Sequence, residues 1–342
     1  MQGKFLSDVA MQPEALRDLI NFYRKDGQPL LHQWAEMAKK SGQVVFSGMG
    51  TSKFAPEMVI LSMAISGVDA TTIDSSELLH YPRPVKGLPV LVSQSGESVE
   101  TRKLLGILPK DAALVTITNT EGSTLARAAK LVLPMYAGSE NSIASKTYIN
   151  TLGVLYLMAK ALNGQAAIDK ALDELAHVAD VMDQYDSEGV ERAADICRAA
   201  NVVQMIGRGP SMVAARQATL TFMEGCNTSA TPLVGGQFRH GPFELVGSNH
   251  TCMMFIPNGK TYELLKSMAV EVAEKGSHVV VITDRKFDLP GANQVLVVPE
   301  VGEELFALAA AATHEVMLEA IARRYNKVPG DYIYGSKVTS VE

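Results

Sequence analysis

The chain has 342 residues, of which 47% are hydrophobic and 20% are charged, and its formal net charge is −6. This composition is typical of a well-packed globular protein and argues against a disordered chain. The sequence contains no long basic run, so it gives no electrostatic indication of nucleic-acid binding. At about 150 residues per domain, the length predicts two domains.

The cysteines and the N-terminal segment indicate the compartment. Cys197, Cys226 and Cys252 show neither CxxC nor any other metal-ligand spacing, so we expect reduced thiols and no metal site. The N-terminal segment lacks the apolar region of a signal peptide, and no run of about 20 apolar residues occurs. We therefore expect a cytoplasmic protein with no membrane partner.

The first half of the chain alternates between predicted strands and helices. The opening 40 residues are amphipathic and predict helices. Strands are predicted in the runs QVVFSGMGTS, DATTIDSSELL, LPVLVSQSGES, AALVTITNT and LVLPMYA, and helical patterns follow them. Regular alternation of this kind predicts an α/β fold with a doubly wound parallel sheet.

The second half repeats this plan at an offset of about 160 residues. NVVQMIGRGPS repeats QVVFSGMGTS, TCMMFIPNGKTYE stands where LPVLVSQSGESVE stood, and SHVVVITD matches AALVTITN. Two α/β domains can look alike by chance, but three paired elements in the same order favour a duplication. A helical segment, AAIDKALDELAHVADVMDQY, is predicted to link the two copies.

Polar residues crowd the turn after the third predicted strand, at Ser93, Gln94, Ser95 and Ser98. In open parallel sheets ligands bind beyond the carboxyl ends of the strands, where a helix start offers unpaired N–H groups. Small residues also let an anion approach that backbone, so the turn predicts a phosphate site. The alternative is that Ser95 or Ser98 merely caps the following helix.

The turn after the first strand, Gly48-Met49-Gly50-Thr51-Ser52, has the Gly-x-Gly of a dinucleotide site but lacks its third glycine. Asp74 is a poor match to the acidic residue that such a site needs. We therefore expect no nicotinamide and no other cofactor.

Five motifs together resemble the double sugar-isomerase (SIS) domain proteins: GMGTS, SQSGES, SENSIASKTY, GGQFRHGPFELV and GSKVTSVE. The resemblance is to the isomerase half of glutamine–fructose-6-phosphate aminotransferase and to related deglycases and deaminases. It implies two tandem SIS, flavodoxin-like domains, a homodimer and a hexose 6-phosphate ligand. The predicted segments are an N-terminal helical segment (1–30), a first SIS domain (31–165), a helical linker (166–195), a second SIS domain (196–328) and a tail (329–342).

The resemblance also assigns roles to residues. Phosphate binding falls on Ser93, Gln94, Ser95 and Ser98; sugar binding falls on Gly50, Thr51, Ser52, Ile143 and Ser145; catalysis falls on Glu224, His240 and Lys337. In this family the histidine is typically donated by the neighbouring subunit.

The chemistry of the assigned residues agrees with these roles. A glutamate in an apolar setting can shuttle a proton between two adjacent carbons, and a histidine can move a proton during ring opening. Glu224 ends an apolar helical pattern, so the alternative is a helix-end residue turned to solvent. His240 lies in a Gly-rich loop, where the alternative is a ring bonded to the backbone.

The tail DYIYGSKVTSVE is predicted to close a site at the junction of the two domains. Lys337 would meet the sugar carbonyl or hydroxyls there, or form a Schiff base. Tyr332 and Tyr334 favour docking of this segment over a free, solvated end.

Several positions depart from the aminotransferase pattern. Thr221 replaces a lysine, Gln217 replaces a glutamate, Lys146 and Thr147 stand in swapped order, and FRHGP replaces LKHGP. We expect no N-terminal glutaminase domain and therefore no use of glutamine by this chain. We therefore expect a deglycase or isomerising deaminase of an amino-sugar or ketosamine 6-phosphate. The alternatives are a non-catalytic sugar-phosphate sensor and a synthase component that receives ammonia from a partner.

Overall fold

The computed structural model describes residues 3–82, 86–109, 112–141, 143–198, 202–334 and 337. These residues fold into two compact units. The N-terminal unit comprises residues 14–140 and 146–176 with Tyr334 and Lys337, and the C-terminal unit comprises residues 3–13, 141–145 and 177–333.

Helices open the chain, as predicted: α1 (Lys4–Ala10), α2 (Gln12–Lys25) and α3 (Gln28–Ser41). Helix α3 has a proline in its first turn, and its end is capped by Gly42, whose backbone N–H donates to the Ala38 carbonyl. Gly42 has a φ of +69°, which a glycine adopts without steric cost.

The N-terminal unit is built on a parallel five-stranded sheet with the order β2-β1-β3-β4-β5. Its strands are β1 (Gln43–Gly48), β2 (Asp69–Asp74), β3 (Leu88–Val92), β4 (Val115–Thr118) and β5 (Leu131–Pro134). The accompanying helices are α4 (Thr51–Phe54), a 3-10 helix (Ala55–Met58), α5 (Ile60–Ile65), α6 (Ser75–His80), α7 (Val99–Leu104), α8 (Thr124–Ala128) and α9 (Lys146–Ala161). Each strand lies where the sequence predicted one.

The C-terminal unit contains a second parallel five-stranded sheet, of order β10-β9-β8-β6-β7. Its strands are β6 (Val202–Gly207), β7 (Ala230–Val234), β8 (His250–Ile256), β9 (His278–Thr283) and β10 (Gln294–Val297). The helices from the linker onward are α10 (Gln165–Val181), α11 (Ser187–Arg198), α12 (Met212–Cys226), α13 (Gly235–Phe238), α14 (Tyr262–Glu274), α15 (Phe306–Ala309) and α16 (Ala311–Arg324), with 3-10 helices at Gly209–Ser211 and Pro242–Leu245.

The two units are copies of one plan, since their sheets have the same strand order. Their first turns also share a conformation, with φ of +52° at Gly50 and +53° at Gly209. A Cβ added at Gly48 or at Gly207 would lie 2.7 Å from backbone atoms of the following helix start. Only glycine fits so close an approach. In each copy the first glycine of the motif is therefore required by this contact and the second is favoured by its positive φ. The predicted duplication is confirmed.

Burial follows the layered architecture. All five residues of β3 and all seven of β8 are buried, as expected for strands covered by helices on both faces. Helix α9 is buried at 15 of its 16 positions, so it is a core helix of the N-terminal unit. No helix in the described ranges is both long and apolar enough to cross a bilayer.

Replacing Leu155 of α9 tests this core. Leu155→Ala should lower the free energy of unfolding by about 2–5 kcal/mol, because the side chain is fully buried and its removal leaves a cavity. The matched variant Leu61→Ala, on the same unit but 56% exposed, should change it by about 0.5 kcal/mol or less. Urea denaturation followed by circular dichroism measures both, and equal effects would contradict the burial of α9.

Candidate active site

The strand order brings two predicted ligand turns together. Strands β1 and β3 are neighbours, yet the chain leaves β1 towards β2 on one side and leaves β3 towards β4 on the other. Such a point of reversal is where doubly wound sheets open a crevice beyond the strand ends. The Gly50–Ser52 turn follows β1 and the Ser93–Ser98 turn follows β3, so both border this crevice.

The serine turn is organised by its own hydroxyls. Ser93 Oγ accepts a hydrogen bond from the Gly96 N–H at 3.1 Å and lies 3.4 Å from Ser98 Oγ. Ser98 Oγ also lies 2.7 Å from Thr101 Oγ1. Although Ser98 stands at the cap position of α7, its side chain makes no capping hydrogen bond. Ser95 Oγ accepts from the Glu97 N–H, which precedes the helix, so neither serine acts as the cap of α7.

Gly96 and Glu97 hold the serine turn against the start of α8. Gly96 has a φ of +64°, and a Cβ there would lie 2.1 Å from Ser123 Oγ. Glu97 accepts hydrogen bonds from the N–H and the hydroxyl of Thr124 at the start of α8. The backbone hydrogen bond from Thr124 is the main reason why the pKa of Glu97 falls below its ordinary value. Glu97 therefore holds the turn in place, a role the sequence analysis did not assign.

In the Gly50–Ser52 turn, the side chains of Thr51 and Ser52 are half-buried. Asp74, at the end of the neighbouring strand, accepts hydrogen bonds from the N–H groups of Ser76 and Glu77. Asp74 is thus the N-cap of α6, which accounts for it without a nucleotide ribose.

The predicted sugar-binding segment is buried. Ile143 is 1% exposed and Ser145 is fully buried. Both lie in the 141–145 segment of the C-terminal unit, where Gln217 Nε2 donates to the Ala144 carbonyl at 3.0 Å. Gln217, where the aminotransferases have a glutamate, therefore anchors the backbone of this segment.

Lys337 lies in the N-terminal unit and forms an ion pair with Glu140, with 2.8 Å between Nζ and Oε2. Tyr334, in contrast, is 99% exposed. Of the two tyrosines expected to favour docking of the tail, Tyr334 therefore contributes almost no buried surface. The ion pair of Lys337 with Glu140 joins the tail to its own unit. Closure of a site by the tail stays a prediction.

Glu224 and His240 lie at opposite ends of strand β7 in the second sheet. Glu224 is half-buried in the last turn of α12, just before β7 begins. His240 is exposed in the turn that follows α13, beyond the carboxyl end of β7. Strand β7 has five residues, which span about 16 Å, so the two side chains of one chain stand far apart.

The ring of His240 makes no hydrogen bond within the described part of the chain, so it is not the backbone-bonded histidine of the alternative interpretation. Its backbone N–H donates to the Gln237 carbonyl at 2.9 Å and holds the turn. The imidazole is therefore presented to the surface with both nitrogens available.

Thr221 occupies the position of the aminotransferase lysine, one helical turn before Glu224. Its hydroxyl donates to carbonyls of its own helix, at 3.0 Å from Gln217 O and 3.3 Å from Ala218 O. The side chain is 1% exposed. No cationic group therefore stands at this position.

The second copy of the ligand turn differs chemically from the first. In the loop after β8, Asp284 accepts from the Asn258 N–H at 2.6 Å and Glu303 accepts from the Lys260 N–H at 3.3 Å. A Cβ at Gly259 would lie 2.2 Å from the Glu303 carboxyl carbon. Burial is the main cause that raises the pKa of Asp284. Side-chain carboxylates thus accept the backbone N–H groups of Asn258 and Lys260, which correspond to N–H groups of the serine turn in the first copy.

In the residues that the structure describes, no group of three or more His, Cys, Asp or Glu side chains is arranged to hold a metal ion.

Sequence comparison relates the chain to one group of proteins. The family profile described as SIS domain matches residues 197–319. Glutamine–fructose-6-phosphate aminotransferase [isomerizing] of Methanocaldococcus jannaschii is 28% identical over 323 residues, which cover 91% of this chain and 28% of the relative. The protein of that name from Shouchella clausii is 30% identical over 319 residues, covering 89% and 52%. The chain thus spans about half, or less, of the length of these relatives.

Solved structures share the fold. The C-terminal domain of glucosamine-fructose-6-phosphate aminotransferase from Francisella tularensis superposes with a TM-score of 0.85 at 20% identity, covering 97% of this chain and 99% of that one. Glucosamine-6-phosphate deaminase from Thermotoga maritima gives 0.75 at 17% identity, with coverages of 98% and 99%. The chain therefore shares the fold of these solved structures, its residues 197–319 match the SIS domain, and most of its length is similar to part of the glutamine–fructose-6-phosphate aminotransferases.

Proposed function

We propose that the protein is an enzyme that processes an amino-sugar or ketosamine 6-phosphate by aldose–ketose chemistry, as a deglycase or an isomerising deaminase. The observation that carries this proposal is the group of hydroxyls at Ser93, Ser98 and Thr101, which do not cap a helix and border the crevice between β1 and β3. A deglycase would use water to release an amine and glucose 6-phosphate from a fructosamine 6-phosphate.

The phosphate would be held by hydroxyls and backbone N–H groups, as at other turns that open a helix. The first copy of the turn offers such donors at Ser93, Gln94, Ser95 and Ser98. The second copy has its equivalent amides bonded to Asp284 and Glu303, so it repels an anion. This difference supports one sugar-phosphate site per chain, in the N-terminal unit, with Gly50, Thr51 and Ser52 beside the sugar.

Glu224 would be the base that moves a proton between C1 and C2 of the open-chain sugar through an enediol or enolamine. Lys337 would hydrogen-bond the sugar oxygens. Ile143 and Ser145 would line the sugar from the buried 141–145 segment. Binding energy from the phosphate end would then position the reacting carbons.

His240 would catalyse ring opening, and we propose that it acts on the substrate of the neighbouring subunit in a homodimer. The placement of Glu224 and His240 at opposite ends of β7 supports this assignment, because a strand of five residues spans about 16 Å. The exposed ring of His240 supports it as well.

Transfer of nitrogen from glutamine is not part of the proposal. Thr221 has its hydroxyl bonded to its own helix, so it supplies no cation where the aminotransferases have a lysine. The FRHGP sequence around His240 also favours the deglycase branch. We expect these reactions in the cytoplasm, where sugar phosphates are metabolised, with no cofactor.

Ser98→Ala should weaken binding of glucitol 6-phosphate, an open-chain analogue that cannot isomerise, by about tenfold, because a hydrogen bond to a charged group is lost. Isothermal titration calorimetry measures the Kd and the stoichiometry, which should be one ligand per chain. The control is Thr261→Ala in the second copy of the turn, which should leave the Kd within about twofold. Equal losses in the two variants would contradict the assignment of the phosphate to the first copy.

Glu224→Gln should reduce kcat by about 10²–10⁴-fold and leave the Kd for glucitol 6-phosphate unchanged, because the amide cannot accept the proton. The wild type is first screened against amino-sugar and fructosamine 6-phosphates, with glucose 6-phosphate, fructose 6-phosphate and ammonia as readouts. Binding without any turnover by the wild type would favour a sugar-phosphate sensor instead. Unchanged kcat in Glu224→Gln would refute its role as base.

Glu224→Gln and His240→Asn should each be inactive alone but restore about a quarter of wild-type activity when subunits are exchanged in equal amounts. Half of the dimers are then mixed, and each mixed dimer has one site with both residues intact. Native mass spectrometry verifies that mixed dimers form. Mixed dimers without restored activity, or a monomeric enzyme that is fully active, would show that His240 does not cross to the partner.

A further inference from the structure

Glu140 is a buried carboxylate that the sequence analysis did not single out. Its side chain is 1% exposed. Oε1 accepts a hydrogen bond from the Thr147 N–H at 3.0 Å, and Oε2 accepts from the Thr147 hydroxyl at 2.7 Å and from Lys337 Nζ at 2.8 Å. Both oxygens are therefore engaged, and one side chain joins the start of α9 to the end of the chain.

The burial of Glu140 favours its contact with Lys337. A buried carboxylate is costly unless it is hydrogen-bonded and paired with a cation. Thr147 supplies two neutral donors, and Lys337 brings a positive charge whose side chain is 26% exposed. The Lys337 ammonium is consequently held against a buried carboxylate, while its side chain as a whole stays partly exposed.

We propose that Glu140 is the positioning residue that seats Lys337 for its work on the sugar. The inference rests on the proposed function, which gives Lys337 its contact with the sugar oxygens. Glu140 acts through Lys337 and does not touch the reacting atoms.

Kinetics test the coupling between the two residues. Glu140→Gln and Lys337→Met should each lower kcat about tenfold while the Kd for glucitol 6-phosphate changes by less than about threefold. The kcat of the double variant should lie within about twofold of the kcat of the slower single variant, because both changes break the same contact. Glu174→Gln is the matched control: it removes a carboxylate that accepts a hydrogen bond from the Tyr156 hydroxyl in the same unit, and kcat should be retained.

Multiplicative losses in the double variant would overturn the proposal, since they would mean that Glu140 acts without Lys337. A weakened Kd with unchanged kcat in Glu140→Gln would overturn it as well, because that pattern belongs to a residue that only supports the binding site.

A second measurement needs no turnover and separates this proposal from the proposed function. Trypsin must take the lysine side chain into its own pocket, so cleavage after Lys337 competes with the contact to Glu140. Mass spectrometry should detect loss of residues 338–342 about fivefold faster in Glu140→Gln than in the wild type or in Glu174→Gln. Equal rates would overturn the seating of Lys337 even if the enzyme is active. Faster cleavage in an inactive protein would uphold the seating and refute the enzyme.

If Glu140→Gln fails to fold, Glu140→Asp serves in its place. The aspartate keeps the charge but is shorter by one methylene, so it should fold and still cleave faster after Lys337. Wild-type cleavage rates in the folded Glu140→Asp variant would count against the proposal.

Discussion

The adjacency of β1 and β3 in the first sheet is the constraint on which the candidate site depends. Parallel strands place their carboxyl ends at one edge, and the reversal of the chain path between these two strands leaves that edge open. The Gly50–Ser52 turn and the Ser93–Ser98 turn are therefore neighbours although more than 40 residues separate them in the sequence. Small residues and hydroxyls at this edge suit a ligand with an anionic end.

Duplication has given the chain two such edges, and side-chain chemistry distinguishes them. In the first copy the hydroxyls of Ser93, Ser98 and Thr101 lie within hydrogen-bonding distance of one another. In the second copy Asp284 and Glu303 accept the equivalent backbone N–H groups. The fold is the same in both, so the difference lies in a few carboxylates. This separation of tasks fits a second copy that contributes Glu224 and His240 instead of a phosphate site.

Hydrogen-bonded carboxylates also shape the rest of the candidate site. Glu140 is hydrogen-bonded to the start of α9 and to Lys337. Glu97, in the serine turn, accepts a hydrogen bond from the start of α8. Both carboxylates accept a backbone N–H and a threonine hydroxyl, a pairing that fixes the angle at which a loop meets a helix. Loops that carry ligand-binding residues are held in this way to a rigid scaffold.

Local patterns in the sequence were sufficient to predict the strands and helices, the duplication and the two turns at which a ligand is expected. Periodicity and glycine placement express local preferences, and these hold in the folded chain at Gly48, Gly50, Gly207 and Gly209. The resemblance carried by short motifs assigned candidate roles to Ser93–Ser98, Glu224 and His240.

Contacts between residues distant in the sequence could be identified only from the folded structure. It showed that Ser98 does not cap α7, that Tyr334 is exposed, and that Glu140 is buried against Lys337. It also showed that the length of β7 separates Glu224 from His240. Hydrogen bonds and burial of this kind arise from the packing of elements far apart in the chain, and no local pattern of residues encodes them.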